Sequence, residues 1–307
     1  MKQRVMQKTL SERQKQIEAQ RAASRALAQK AFAIDEIAKA NKAYIDAEFA
    51  AMASGDDKAK TAEKAHEKYR KTLEKYGFFE KDFESKPSCP LCDDTGYAGG
   101  KVCSCVWDLY VENLKKECRI DERAKFSFED CDLKKIRDEA QRKATSALYD
   151  SMKKYVAKFP TAKCKTLVFS GGVGTGKTCL ASAMARAIVE KGYSVQFLSA
   201  YEFCSLMLKV HTSPISERNA LLSDALSCDL LVIDDLGTEP MLKRVTIEYL
   251  LLVIEERQAK GLATIITTNL DVERLLARYG ERIYSRLSHK QHSMIIQFVG
   301  KDLRLGN

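Results

Sequence analysis

Residues 170 to 178 read Ser-Gly-Gly-Val-Gly-Thr-Gly-Lys-Thr, between an apolar run, Thr166-Leu-Val-Phe169, and an alanine-rich helical pattern. Glycines at such a junction let backbone N–H groups approach an anion at the positive end of a helix. The series Gly171, Gly172, Val173, Gly174, Thr175, Gly176, Lys177 and Thr178 fits the spacing of a phosphate-binding loop. In that chemistry Lys177 reaches the β- and γ-phosphates of a nucleotide and the Thr178 hydroxyl holds Mg²⁺. A second apolar run, Asp229-Leu-Leu-Val-Ile233, ends in Asp234-Asp235. Carboxylates at the C-terminal edge of a parallel strand stand where open α/β sheets bind ligands, so Asp234 is placed for the magnesium shell and Asp235 for orienting the attacking water.

A third run, Ala263-Thr-Ile-Ile-Thr-Thr-Asn269, puts an amide at the equivalent edge, where Asn269 reads as a γ-phosphate sensor. Arg282 and Arg286 are four residues apart in a helical stretch and share one face. Arginine given in trans stabilises charge on a transferred phosphoryl group, so this pair suits a neighbouring subunit's nucleotide and predicts self-association through the ATP sites. Arg304, after the last strand, is placed to return to the same site.

Four of the ten cysteines crowd into Cys89-Pro-Leu-Cys92 and Cys103-Ser-Cys105, joined by a glycine-bearing connector. Thiolate pairs of this kind close a tetrahedral zinc site. The second pair is the less usual C-x-C, which leaves the fourth ligand open between Cys105 and Cys118. No βαβ pattern surrounds Cys89, which disfavours a redox pair, and no apolar signal core follows Met1, which disfavours disulfides and predicts a cytoplasmic, reduced protein. Cys164, Cys179, Cys204 and Cys228 accordingly read as reduced thiols.

The elements that must position these groups are legible in outline. Apolar strands near 166, 195, 231, 265 and 295 alternate with helices, which predicts an α/β fold with a five-stranded parallel sheet covered on both faces. A helix is expected from about 138 to 158 and two amphipathic segments between Tyr201 and Leu222. From Leu10 to Met52 no proline or glycine occurs, and Leu27, Ala31, Ile34, Ala38, Ile45, Phe49 and Met52 recur at helical spacing. That stripe predicts one amphipathic helix, paired across a break near Gly55 with a second from Ala59 to Tyr76 as an antiparallel hairpin. With 307 residues and 45% hydrophobic content, the chain divides into a helical region 1–84, a cysteine module and helix 85–125, and a nucleotide-binding domain 126–307. The net charge of +9 permits salt-dependent attraction to nucleic acid phosphates, with Lys209, His211 and Arg218 as candidate single-strand contacts. No stretch is apolar enough for a membrane span.

Taken together, Gly171 to Thr178, Leu231-Val-Ile-Asp-Asp-Leu-Gly237, Thr267-Thr-Asn269, Arg282-Ile-Tyr-Ser-Arg286-Leu and Gly300-Lys-Asp-Leu-Arg304 resemble the AAA+ ATPase core of the DnaC/DnaI/IstB family. The resemblance covers residues from about 126 to 307. It implies Asn269 as sensor 1, Arg286 as arginine finger with Arg282 as its helper, and Arg304 as a sensor-2-like residue. Cys89-Pro-Leu-Cys92-Asp-Asp-Thr-Gly-Tyr97 resembles the zinc-binding amino-terminal module of the DnaI branch. The family implies ATP, Mg²⁺ and Zn²⁺ as cofactors and a DnaB-type replicative DNA helicase and single-stranded DNA as partners. Its other branch implies an ATP-dependent helper of a transposase that binds duplex DNA.

Overall fold

The computed structural model describes the chain except for Gly55, Ser85, Lys86, Asp132, Lys134, Lys135, residues 304–307, and the side chains of residues 54 and 56–58. Two compact units emerge, one of Lys8–Trp107 and one of Met1–Gln7 with Asp108–Asn307.

Helix α1 (Lys2–Phe32) runs from the second unit into the first, followed by α2 (Asp35–Ser54) and α3 (Asp56–Lys75). α2 and α3 are antiparallel: Lys75 and Tyr76 bond Glu36 at one end, and Tyr44 stacks on Tyr69 and His66 further along. The single helix expected from Leu10 to Met52 is therefore interrupted, at Ala33 and Ile34. There the Ile34 N–H turns back to the Ala31 carbonyl, and Asp35 and Glu36 open α2 with negative charge at the positive end of a helix. The seam also differs from the expected stripe. Ala31, Ile37 and Ala40 meet Tyr69 and Leu73, while Phe49 and Met52 remain 68% and 79% exposed. In a helix this rich in alanine, two adjacent stripes have similar apolar content, and Tyr44 and Ile37 select the one that fits α3. Leu73→Ala should cost about 2–5 kcal/mol, read as lost amide-exchange protection in α2 and α3 of the full chain, whereas Phe49→Ala should stay within about 0.5 kcal/mol. After a 3₁₀ turn (Glu80–Asp82), two-residue strands β1 (Tyr97–Ala98) and β2 (Lys101–Val102) form a small antiparallel ribbon between the cysteine pairs.

The larger unit continues with α4 (Ser104–Glu117), α5 (Ile120–Arg123) and α6 (Glu139–Ala157), then β3 (Thr166–Gly171), α7 (Lys177–Glu190) and β4 (Val195–Ser199). It closes with α8 (Ala200–Thr212), α9 (Ile215–Ser227), β5 (Leu230–Leu236), α10 (Thr246–Ala259), β6 (Ala263–Thr268), α11 (Val272–Leu287) and β7 (Ser293–Phe298). The five strands pair in parallel in the order β4-β5-β6-β3-β7. Successive residues of a strand face opposite sides, and the two cores obey this. Leu167, Phe169, Val232 and Ile265 join Leu180, Met184 and Ile188 of α7 on one face. Val168, Leu231, Ile233 and Ile266 join Met207, Val253 and Leu275 on the other. This is the α/β P-loop sheet expected, with β6 between the two strands that carry the phosphate loop and the acids.

Tyr110, Leu114 and Ile120 of α4 and α5, with Val5 of α1, belong to the first of these cores. The larger compact unit takes in residues from Asp108 onward, and this apolar face of α4 and α5 is buried within its core. Among the described residues no helix is long and apolar enough to cross a membrane.

Candidate functional site

α7 begins in the glycine loop. Gly174 and Gly176 take φ of +71° and +95°, and a side chain on Gly174 would collide with the Asp302 carboxylate. Both positions therefore require glycine. Lys177, only 6% exposed, donates to the carbonyls of Gly171 (2.8 Å) and Gly172 (2.6 Å) and to Asn269 Oδ1 (2.8 Å). The Asn269 amide then donates to Asp235 Oδ1 at 2.8 Å. One step away, the Thr178 hydroxyl donates to Asp234 Oδ1 at 2.9 Å. Central placement of β6 is what makes this possible, since it carries Asn269 between Lys177 and Asp235. Lysine, threonine, amide and the two acids named from the sequence are brought together as one bonded group.

They line a cavity of about 510 Å³. Phe126, Ile136, Tyr149 and Leu303 give the same cavity an apolar wall, with Asp130 and Thr145 also in its lining. Sequence reasoning missed this wall, because its members come from separate segments and carry no spacing signal. It named Thr267 only within the Thr267-Thr-Asn269 run and gave it no role of its own, whereas its hydroxyl lies against the Asp234–Asp235 segment. A cavity that combines apolar side chains with a cationic, N–H-rich loop suits a nucleotide.

The connector from Ala124 to Cys131 is held over α7. Phe126 exchanges bonds with the Ser182 hydroxyl, Arg186 donates to the Ala124 carbonyl, and Cys131 is disulfide-bonded to Cys179. The last bond corrects the expectation of a reduced Cys179. The connector crosses the first turn of α7 and brings the two Cα atoms to 6.9 Å, a relation between distant segments that sequence spacing does not reveal.

α11 is kinked at Gly280, and Arg282 and Arg286 lie exposed on its second half, beside the buried Ile283 and Leu287. Arg286 pairs with Glu255 of α10 at 2.9 Å, and neither arginine lines the cavity. Arg304 lies outside the described residues; the chain just before it crosses the glycine loop, where the Leu303 N–H meets the Gly174 carbonyl. Lys209 and His211 fall on α8 and Arg218 on α9, where the Arg218 guanidinium bonds the Ser213 and His211 carbonyls and so fastens the α8–α9 turn.

In the smaller unit, the sulfurs of Cys89, Cys92, Cys103 and Cys105 all lie within 4.8 Å of one another. The Cys89–Cys103 and Cys92–Cys105 sulfur separations are 3.7 and 3.8 Å. A tetrahedron with Zn–S bonds of about 2.3 Å has edges of about 3.8 Å, so the donor set fits zinc. Cys105 is the fourth member of the group. Cys118 instead sits in the core of the other unit, accepting from the Val195 N–H, and burial pushes its thiol up to about 11. Asp94 fixes the first knuckle by accepting from the backbone N–H groups of Ser88 and Cys89 and from Arg13.

With this geometry in hand, residues 116–307 match the model of the IstB-like ATP binding protein family. The chain belongs to that family. Among curated relatives, the protein named replicative helicase loader DnaC of Buchnera aphidicola (subsp. Acyrthosiphon pisum) is 33% identical over 157 residues, 50% of this chain and 60% of the relative. The Escherichia coli K12 protein of the same name is 30% identical over 137 residues, 44% of this chain and 54% of the relative. The chain thus matches a little over half the length of these family members. Among solved structures, a DnaI crystal structure covers 59% of this chain and 92% of its own, at 22% identity and a TM-score of 0.45.

Proposed function

We propose that this chain is an ATP-dependent loader that delivers the replicative DNA helicase to single-stranded DNA. The observation that carries the reading is the identity of 30–33%, over about half of the chain, with proteins named replicative helicase loader DnaC. Lys177 and the loop N–H groups bind the phosphates, and the apolar wall of Phe126, Ile136 and Tyr149 takes the base. Thr178 and Asp234 fit a magnesium ion, which when bound neutralises phosphate charge. Asp235 orients water and Asn269 senses the γ-phosphate, its amide moving from Asp235 and Lys177 to the ligand. Aspartate is one methylene shorter than glutamate, so hydrolysis is slow until DNA or the partner tightens the site.

Arg286 acts in trans. Its separation from its own cavity and its exposed position on α11 support this. Arg286→Ala should leave nucleotide affinity within about 2-fold while lowering cooperative, DNA-stimulated turnover by about 10³-fold. A variant with unchanged turnover would remove the trans role.

The test of the loader reading is co-elution of the full chain with its organism's replicative helicase, with and without ATP. A chain starting at Phe126 would be a poor control, because Val5, Tyr110, Leu114 and Ile120 would leave the core with the deleted segment. A stable complex supports the loader. The family's IstB-like description favours a second reading, an ATP-dependent DNA-binding helper of a transposase. No complex with the helicase in any nucleotide state, together with preference for duplex over single-stranded DNA, would decide for it.

A further inference from the structure

The pairing of β5 with β6 slips beside the cavity. Ile233 pairs with Ile266 and the next pair is Leu236 with Thr268, so Asp234 and Asp235 together oppose the single residue Thr267. This is a β-bulge, and side-chain directions show its effect. Three residues apart, Ile233 and Leu236 should face opposite sides of the sheet, yet both enter the same core. The extra residue is taken up at Asp235, whose φ of +61° is left-handed. In a regular strand, adjacent Asp234 and Asp235 would point to opposite faces. The bulge lets one bond Thr178 and the other Asn269, so that both serve one cavity.

Thr267 closes the bulge. Its hydroxyl accepts from the Asp235 N–H at 2.7 Å, the donor that the slipped ladder would otherwise strand, and donates to Asp234 Oδ1 at 2.7 Å. It is 1% exposed, so solvent does not replace either bond. A hydroxyl has one proton and can accept while donating, and the two bonds fix its direction: proton toward the carboxylate, lone pair toward the amide.

We propose that Thr267 is a positioning residue for magnesium-dependent nucleotide chemistry, holding Asp234 and Asp235 in the bulged geometry that turns both carboxylates toward one site. The inference rests on the nucleotide-site reading above. Thr178 and Thr267 share Asp234 Oδ1, but they do different work. Thr178 belongs to the phosphate loop, and its hydroxyl would help to hold a magnesium ion there. Thr267 belongs to the neighbouring strand and stays with the acid. A left-handed non-glycine residue persists only where its surroundings over-determine it, and the Asp235 N–H bond is one of those determinants.

The experiment compares Thr267→Val, which removes the hydroxyl and keeps the branched shape, with Thr267→Ser, which keeps the hydroxyl and loses the methyl. A fluorescent ATP analogue is titrated in EDTA and then at increasing Mg²⁺, and steady-state ATP hydrolysis is measured in parallel. Thr267→Val should bind nucleotide in EDTA within about 3-fold of wild type, need about 10-fold more Mg²⁺ for half-maximal tightening, and hydrolyse ATP about 30-fold more slowly. Thr267→Ser should restore both to within about 3-fold. A packing role predicts the opposite ranking, with serine the worse variant. Wild-type magnesium dependence in Thr267→Val, or equal impairment in Thr267→Ser, would overturn the proposal. If Thr267→Val does not fold, Thr267→Ala carries the comparison with serine. A wild-type chain whose nucleotide binding ignores Mg²⁺ would instead defeat the reading of the site itself, an outcome separate from the variant comparison.

Discussion

Lys177→Ala is expected to reduce ATP affinity by at least about 100-fold, to the floor of a calorimetric titration. The side chain is an almost fully buried ammonium whose bonds to the carbonyls of Gly171 and Gly172 and to Asn269 Oδ1 aim it across the mouth of the loop. A charge-assisted bond to phosphate is worth about 1.5–3 kcal/mol, and one lysine serves two phosphates, so about 3 kcal/mol or more leaves with it. Loss of the ammonium also releases Asn269, which stands between Lys177 and Asp235, so catalysis should fail even at saturating nucleotide. Lys177→Arg should not rescue. The guanidinium is a flat fork, and the buried space was shaped by a compact ammonium. Thermal unfolding serves as the control. Truncation leaves the Gly171 and Gly172 carbonyls without this donor, at a cost of about 1–3 kcal/mol, so the titration is made below the lowered melting temperature; a folded variant that keeps ATP affinity within about 3-fold would overturn the phosphate-cradle reading.

Much of this site was legible because its chemistry is local. The glycine loop, Lys177 and Thr178 occupy consecutive positions, and Asp234 and Asn269 each end an apolar run, so pattern and position suffice. Other features depend on how segments meet. That β6 lies between β5 and β3, and so sets Asn269 between Lys177 and Asp235, is a matter of strand order. The bulge at Asp234–Asp235 inserts a single residue into a run that reads as ordinary strand, and Thr267 matters only because the slipped register faces it. The base wall and the Cys131–Cys179 bond join residues by closure of the chain, with no periodic signal. The amino-terminal helices show a different limit. Alanine is compatible with either side of a seam, so composition marked a helix there, and only the aromatic contacts of Tyr44 and Tyr69 fixed which face was buried.

Removal of zinc should have the largest structural effect, confined to the smaller unit. Two strands of two residues each cannot hold a ribbon together in water, and the knuckles around them bury mainly the cysteines themselves. A zinc ion held by the four sulfurs would supply the folding energy, since structural zinc binds zinc-finger peptides with about 10–16 kcal/mol at neutral pH. The purified chain is expected to hold one zinc. Cys89→Ser or Cys103→Ser should lose it and make residues 87–107 the first site of proteolysis, with ATP binding unchanged because the nucleotide cavity lies wholly in the other unit. Cys105→Ser against Cys118→Ser decides the fourth ligand. The Cys105 sulfur is 3.8 Å from that of Cys92, a tetrahedral edge, whereas Cys118 takes the Val195 N–H in a different core. Cys105→Ser should therefore weaken zinc as severely as the other three, and Cys118→Ser should leave the stoichiometry at one. Zinc lost from Cys118→Ser, or fully retained by Cys105→Ser, would show that the four sulfurs gathered here are not the metal's ligands.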